Sequence, residues 1–196
     1  MMKKLLLASA IAFGISSAVV ALPVAQIEAK AKEYDMKPNL ANALKNGTLP
    51  WANGKVGMTY KTLKKLETVE QEYVAETHYY VNSKKYDDRY AFWMNYKKWE
   101  KNGFQSYKPN ATDKISYIER QYDYLISKKS VEKYFGKPYK GIPYEPTGKK
   151  QKWVTTGIYK VGKYYLSFTP YKKITMITVG DKDSVMLIEG VKKIYR

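Results

Sequence analysis

The stretch WVTTGIYKVGKYYLSFTPYKKITMITV, residues 153–179, decides the fold. Apolar and polar side chains alternate along it, and the alternation is interrupted twice. Residues 153–161 read as a strand, Gly162-Lys163 as a tight turn and 164–169 as a second strand. Residues 170–173 read as another turn, and 174–179 as a third strand. Period-two runs joined by short turns make an antiparallel meander. A further turn at 180–183 leads into 185–189, read as a fourth strand.

Working outward, the clearest helix precedes the meander at 128–135. Ser127 is a good N-cap, Val131 and Phe135 share a helix face, Gly136 suits the position after the end, and Pro138 blocks continuation. Residues 39–44 predict a short helix ended by Asn46-Gly47, 51–57 a glycine-bearing loop, and 60–66 a helix capped by Thr59. Between the helices the period falls to two. Residues 68–81, 90–99 and 115–126 read as strands, separated by a polar turn at 82–88 and a loop at 101–114. Residues 32–38 read as a frayed leader. The order helix, strands, helix, strands defines an α+β domain: an antiparallel meander sheet with two or three short helices packed on one face. The recurrence of helix before strands hints at two repeated units.

Residues 1–31 read as a cleaved secretory signal, leaving 32–196 as a single α+β domain. Lys3-Lys4 precede an apolar run from Leu5 to Leu22, Pro23 ends it, and Ala29-Lys30-Ala31 supplies the small-x-small pattern of a cleavage site. The cut is placed after Ala31, with Ala25 and Ala29 as alternatives. An uncleaved anchor is the competing reading, because the run approaches the roughly 20 residues that span a bilayer. The serines and glycine within it weigh against that. Cleavage removes Lys3, Lys4, Lys30 and Glu28, and lowers the formal charge from +17 to +15. The absence of cysteine excludes a lipid-modified lipoprotein, a disulfide and a thiolate metal site. An aromatic fraction of 15% sets the chain apart from disordered basic tails.

Catalytic groups are scarce. The one histidine, His78, sits inside a strand pattern and reads as structural, since a general base needs a positioned partner. No G-x-S-x-G, H-E-x-x-H or P-loop pattern occurs. The acidic pairs Asp87-Asp88 and Asp181-x-Asp183 fall in expected turns, where aspartate commonly bonds the local backbone. The expectation is therefore a protein that is not an enzyme and needs no cofactor or metal.

What remains is positive charge interleaved with aromatic rings. Tyr96-Lys97-Lys98-Trp99-Glu100-Lys101, Lys149-Lys150-Gln151-Lys152-Trp153 and Tyr171-Lys172-Lys173 are the foremost clusters. Lys137-Pro138-Tyr139-Lys140, Tyr159-Lys160 and Lys163-Tyr164-Tyr165 repeat the theme. Lysine neutralises phosphates and releases their counterions whatever the base sequence. Exposed tyrosine and tryptophan stack on unpaired bases. Of 35 basic residues only Arg89, Arg120 and Arg196 are arginine, the usual reader of guanine edges. Such a surface favours backbone charge over base recognition. Lysine and tyrosine in these numbers are also what an A/T-rich coding sequence produces, and many of the tyrosines belong to the core.

Several segments resemble the immunodominant staphylococcal antigen B family. They are Ile126-Ser127-Lys128-Lys129-Ser130-Val131-Glu132-Lys133-Tyr134-Phe135-Gly136-Lys137, then Thr156-Gly157-Ile158-Tyr159, Lys163-Tyr164-Tyr165-Leu166-Ser167-Phe168 and Ile177-Thr178-Val179-Gly180. Upstream, Asn39-Leu40-Ala41-Asn42-Ala43-Leu44 and Tyr60-Lys61-Thr62-Leu63-Lys64-Lys65-Leu66-Glu67 add to the likeness. Residues 86–114 look like extra sequence. The resemblance implies a secreted, cell-surface-associated antigen that binds extracellular nucleic acid without sequence preference and is linked to virulence. The helix-then-meander order also resembles the units of the beta-lactamase inhibitor protein, at the level of fold alone.

The expected nucleic-acid-binding residues come from the charge clusters: Lys97, Lys98, Trp99, Lys101, Lys149, Lys150, Lys152, Trp153, Lys172 and Lys173. The expected partner is extracellular DNA or RNA. A wall-retained adhesin that binds teichoic acid or another envelope polyanion is the alternative, and a protein-inhibitor module a third. Either polyanion reading places the chain outside the cell, free or associated with the wall.

Overall fold

Helices form here where a cap, a start and a stop coincide. The computed structural model describes residues 32–75, 77–101, 108–141, 157–171 and 173–188. The expected signal at 1–31 lies outside them. A two-residue strand, Glu33–Tyr34 (β1), comes first. Helix Pro38–Lys45 (α1) begins on a proline, whose missing N–H is no loss in a first turn. Helix Tyr60–Leu66 (α2) starts where the Thr59 hydroxyl accepts the Thr62 N–H at 3.3 Å. Strands Val69–Ala75 (β2), His78–Ser83 (β3) and Asp88–Trp93 (β4) follow, then helix Tyr96–Lys101 (α3), and then strands Ile115–Tyr122 (β5) and Leu125–Ile126 (β6). Helix Lys128–Phe135 (α4) repeats the cap of α2, with the Ser127 hydroxyl accepting the Ser130 N–H at 3.2 Å. It stops at Gly136, whose φ of +75° suits glycine. Strands Lys140–Gly141 (β7), Gly157–Val161 (β8), Tyr164–Tyr171 (β9) and Ile174–Gly180 (β10) precede a last helix, Lys182–Ile188 (α5).

The main sheet has the order β2-β3-β4-β5-β10-β9-β8-β7, and every neighbouring pair is antiparallel. Two four-stranded meanders therefore share one sheet. Each follows a capped helix, starts at an outer edge and ends at the centre, where Ile118 of β5 pairs with Val179 of β10. The hint of two repeated units is realised as topology. The fold is the expected α+β class, with a mostly antiparallel sheet.

Alternation sorts the strands into two faces. One carries Val81, Tyr90, Ile118, Ile177, Leu166 and Phe168, all buried against Leu44 of α1, Leu63 of α2 and Val131 of α4. Three short helices thus cover one face. The opposite face receives α5, whose Val185 and Met186 pack on Ile158 and Tyr165.

Local readings failed in identifiable places. Residues 68–81 form two strands, not one, because alternation on both arms runs straight through a reversal between Ala75 and His78. The strand expected at 90–99 stops at Trp93. Lys97, Lys98, Glu100 and Lys101 are good helix formers and belong to α3. The strand expected at 115–126 breaks between Tyr122 and Leu125. Strand β9 runs through Pro170 to Tyr171, past the turn expected at 170–173. Within it Pro170 pairs with Thr175 of β10. The strand expected at 185–189 is helix α5. Four apolar residues in a row do not separate strand from helix, and the Asp181 cap decides it.

The segment expected to fray is tied down. Strand β1 pairs in parallel with β6, and Tyr34 O accepts the Ser127 N–H at 2.9 Å. Met36 is buried, and its N–H reaches the Ser130 hydroxyl at 2.9 Å.

Candidate nucleic-acid interface

The face opposite α1, α2 and α4 offers one place where rings and ammonium groups meet. Its foundation is α5. Asp181 ends β10 and caps α5, accepting the Ser184 N–H at 2.7 Å on one oxygen and the Trp93 indole N–H at 3.0 Å on the other. His78, 1% exposed, lies between Thr77 Oγ1 at 2.8 Å and Ser184 Oγ at 3.4 Å. Its ring stacks at 4.2 Å on Trp93. The histidine thus sits in the core as the sequence implied, holding α5 to the sheet. Gly180 allows the approach, since a Cβ there would stand 2.6 Å from Tyr117 Cβ.

Tyr139 stands beside this helix. Its N–H donates to Ile158 O at 2.7 Å, which adds a bond at the edge of β8. Its ring meets the buried Tyr165 ring edge-on, centroids 5.5 Å apart, yet Tyr139 remains 50% exposed. The Lys182 ammonium stands 6.0 Å from the Tyr139 centroid. Lys160, exposed, is the cross-strand partner of Tyr165 and shares its face. A braced, half-exposed phenol with a lysine beside it and a second lysine on the same sheet face can take a planar ring and the anion attached to it.

The expected site residues fare differently. Lys97 and Lys101 are exposed and one turn apart on α3, to which Lys98 and Trp99 also belong. Lys173 is exposed ahead of β10. Lys149, Lys150, Lys152, Trp153 and Lys172 lie outside the described residues. The structure does not bring the first and last groups together. Helix α3 follows Trp93 at the end of the sheet where β10 finishes, while Lys173 is at the other end. The seven residues of β10 put about 20 Å between them. In the sequence the clusters around Tyr139, Lys160 and Tyr165 do not stand out from the other lysine–aromatic clusters. Their signal is face parity: Lys160 and Tyr165 point to the same side only once β8 and β9 are in register.

A polar cleft of about 280 Å³ lies near the turn between β3 and β4. Arg89 and Glu119 pair across it at 2.9 Å. On the other side of the sheet Asp88 grips Arg120 through two bonds, 2.6 and 2.8 Å. Of the two acidic pairs in the sequence, Asp181 bonds local backbone as expected. Asp88 does not; it holds a buried guanidinium. Burial raises the Asp88 carboxyl above the usual range, and the bond to Arg120 opposes that rise. Burial also pushes the Tyr90 phenol up.

Among the described residues, no group of three or more metal-ligating side chains converges, and no helix is long and apolar enough to cross a membrane. Comparison with family models, curated proteins and solved structures finds no match for this chain.

Proposed function

We propose that this chain is an exported, surface-retained protein that binds extracellular nucleic acid without sequence preference, by phosphate neutralisation and ring stacking, and that it is not an enzyme. The observation that carries the reading is a surplus of cations set beside an exposed ring. If all 18 acidic residues paired one-to-one, 17 of the 35 basic ones would still lack a partner. Lys182 stands by the Tyr139 ring, and Lys160 pairs across the strands with Tyr165, which that ring meets. Scarce arginine supports contact with backbone charge rather than base edges. The resemblance to the immunodominant staphylococcal antigen B family supports the same partner and an extracellular site.

Filter binding of single-stranded DNA against rising salt tests this. The expected outcome is binding at low salt that falls steeply and log-linearly with salt concentration. Lys160→Glu with Lys182→Glu lowers both affinity and slope. Absence of binding at low salt, or indifference to salt, overturns the reading.

A wall-polyanion binder is the second reading. Lys97 and Lys101 at one end of the sheet and Lys173 at the other favour it, since dispersed charge suits a polyphosphate wrapped around the surface. Purified teichoic acid that outcompetes DNA would select it.

A further inference from the structure

The loop between α1 and α2 holds one residue in a conformation that its own side chain disfavours. Trp51 has a φ of 62°, the only positive φ of a non-glycine among the described residues. The left-handed region crowds Cβ against the backbone, and a bulky residue there is an outlier. The same indole is 72% exposed. It makes no ring contact or hydrogen bond within the described fold.

The surroundings are not loose. Leu49 and Pro50, just before Trp51, are buried. Arg120 donates to Pro50 O at 2.9 Å, and Asp88 fixes Arg120 in turn. Thr48 Oγ1 donates to Gly54 O at 2.6 Å, and Val56 N to Gly47 O at 2.9 Å. Gly54 N reaches the Tyr90 hydroxyl at 3.3 Å. The loop is therefore anchored on both sides of an indole directed at solvent. A position that needed only this backbone would favour glycine or asparagine. A side chain that served folding would be buried. An exposed aromatic on a strained, fixed backbone fits a contact made outside the chain.

Charge narrows the partner. Lys45 and Lys55, both exposed, border the loop, and the chain carries a formal charge of +17. An exposed apolar ring on a loop bordered by exposed lysines matches a planar base carried on phosphates. In a duplex the base faces are stacked away; in a single strand they are open.

We propose that Trp51 is a stacking platform for an unpaired base, and that it gives this protein a preference for single-stranded over double-stranded nucleic acid. The proposal rests on the nucleic-acid reading above. Trp51 and Tyr139 lie on opposite faces of the sheet, so the two contacts are separable by mutation.

Fluorescence anisotropy with labelled oligothymidylate and a duplex of equal length tests it, on the wild type, Trp51→Ala, Trp51→Gly and Tyr139→Ala. Both Trp51 variants are expected to bind the single strand about tenfold more weakly, as loss of one stacked base implies, with duplex affinity unchanged. Trp51→Gly relieves the backbone and should keep or raise the melting temperature, so a lost affinity is not lost folding. Single-strand binding by Trp51→Gly within about twofold of wild type overturns the proposal. Equal weakening for single strand and duplex overturns it too. In both cases the broader function stands on the wild type and on Tyr139→Ala. A wild type that binds neither probe overturns both.

Discussion

In the first half of the sheet, β2 to β5 with α2, the packed face contains a charged pair. Asp88 and Arg120 face each other across β4 and β5, and the carboxylate is fully buried. In the second half, β7 to β10 with α4, the packed face is aromatic. Phe135, Tyr159 and Phe168 form a cluster with centroids 5.8 to 6.4 Å apart. The topology is the same and the chemistry is not. The difference follows from what each half must hold. The aromatic cluster seats its own helix. The charged pair also fixes a loop, because the one guanidinium nitrogen turned away from Asp88 donates to Pro50 O. A buried ion pair adds little net stability over an apolar isostere, but it dictates where its partners sit.

The largest test of that contrast is Arg120→Met. Leaving Asp88 buried and unpaired should cost about 3–5 kcal/mol in urea unfolding. Adding Asp88→Leu should restore most of it, since the cost is that of an orphaned charge. In the second half Phe168→Leu should cost only about 1–1.5 kcal/mol. If the single Arg120 variant is as mild as that, the halves do not differ in the way described.

Alkaline titration probes both halves at once. Burial pushes Tyr122 of the first half and Tyr159 of the second up to about 12, from 10.0. A phenol whose folded pKa is raised keeps its proton longer in the folded state. Stability is thus whole below pH 10 and falls as pH rises toward about 12, by roughly 1–3 kcal/mol per phenol. Tyrosinate absorbance should show late-titrating phenols, and Tyr122→Phe and Tyr159→Phe should each flatten the fall.

Gly54→Ala sharpens the comparison at the loop. A Cβ there would overlap the Tyr90 ring, so a loss of about 1–3 kcal/mol is expected. Gly162→Ala, in the β8–β9 turn, meets no atom within 4 Å and has only its φ of +58° against it. About 1 kcal/mol is expected there. The smallest pair is the caps. Ser127→Ala should lose about 1 kcal/mol, because Ser127 also donates to Asp35 at 3.0 Å. Thr59→Ala should lose about 0.5 kcal/mol, since beyond the cap its hydroxyl has only the exposed Thr62 hydroxyl at 2.9 Å. Thermal melts of the two variants would rank them.

Much of this was legible in the chain. The hydroxyl caps at Thr59 and Ser127 and the stop at Gly136 stood where the sequence placed them, because a cap depends on atoms three or four residues away. The meander from Gly157 to Gly180 was legible for the same reason. Helix α5 was not, since its cap at Asp181 is held by Trp93, 88 residues distant. Of the ranked lysines, Lys97, Lys101 and Lys173 are exposed, but lie at opposite ends of the sheet.

The sequence by itself determined the α+β class, the repeated helix-then-strands order, the positive surplus and the lysine bias. Each is a property of composition or of neighbours along the chain. Only the tertiary structure decided that β5 lies beside β10, that Asp88 closes on Arg120, and that Tyr139 stays half in solvent beside Lys182. Nor could the sequence single out Trp51 among four tryptophans as an indole held outward. The physical reason is common to all of these. Exposure and partnership are set by what covers each face, and that cover comes from residues far along the chain.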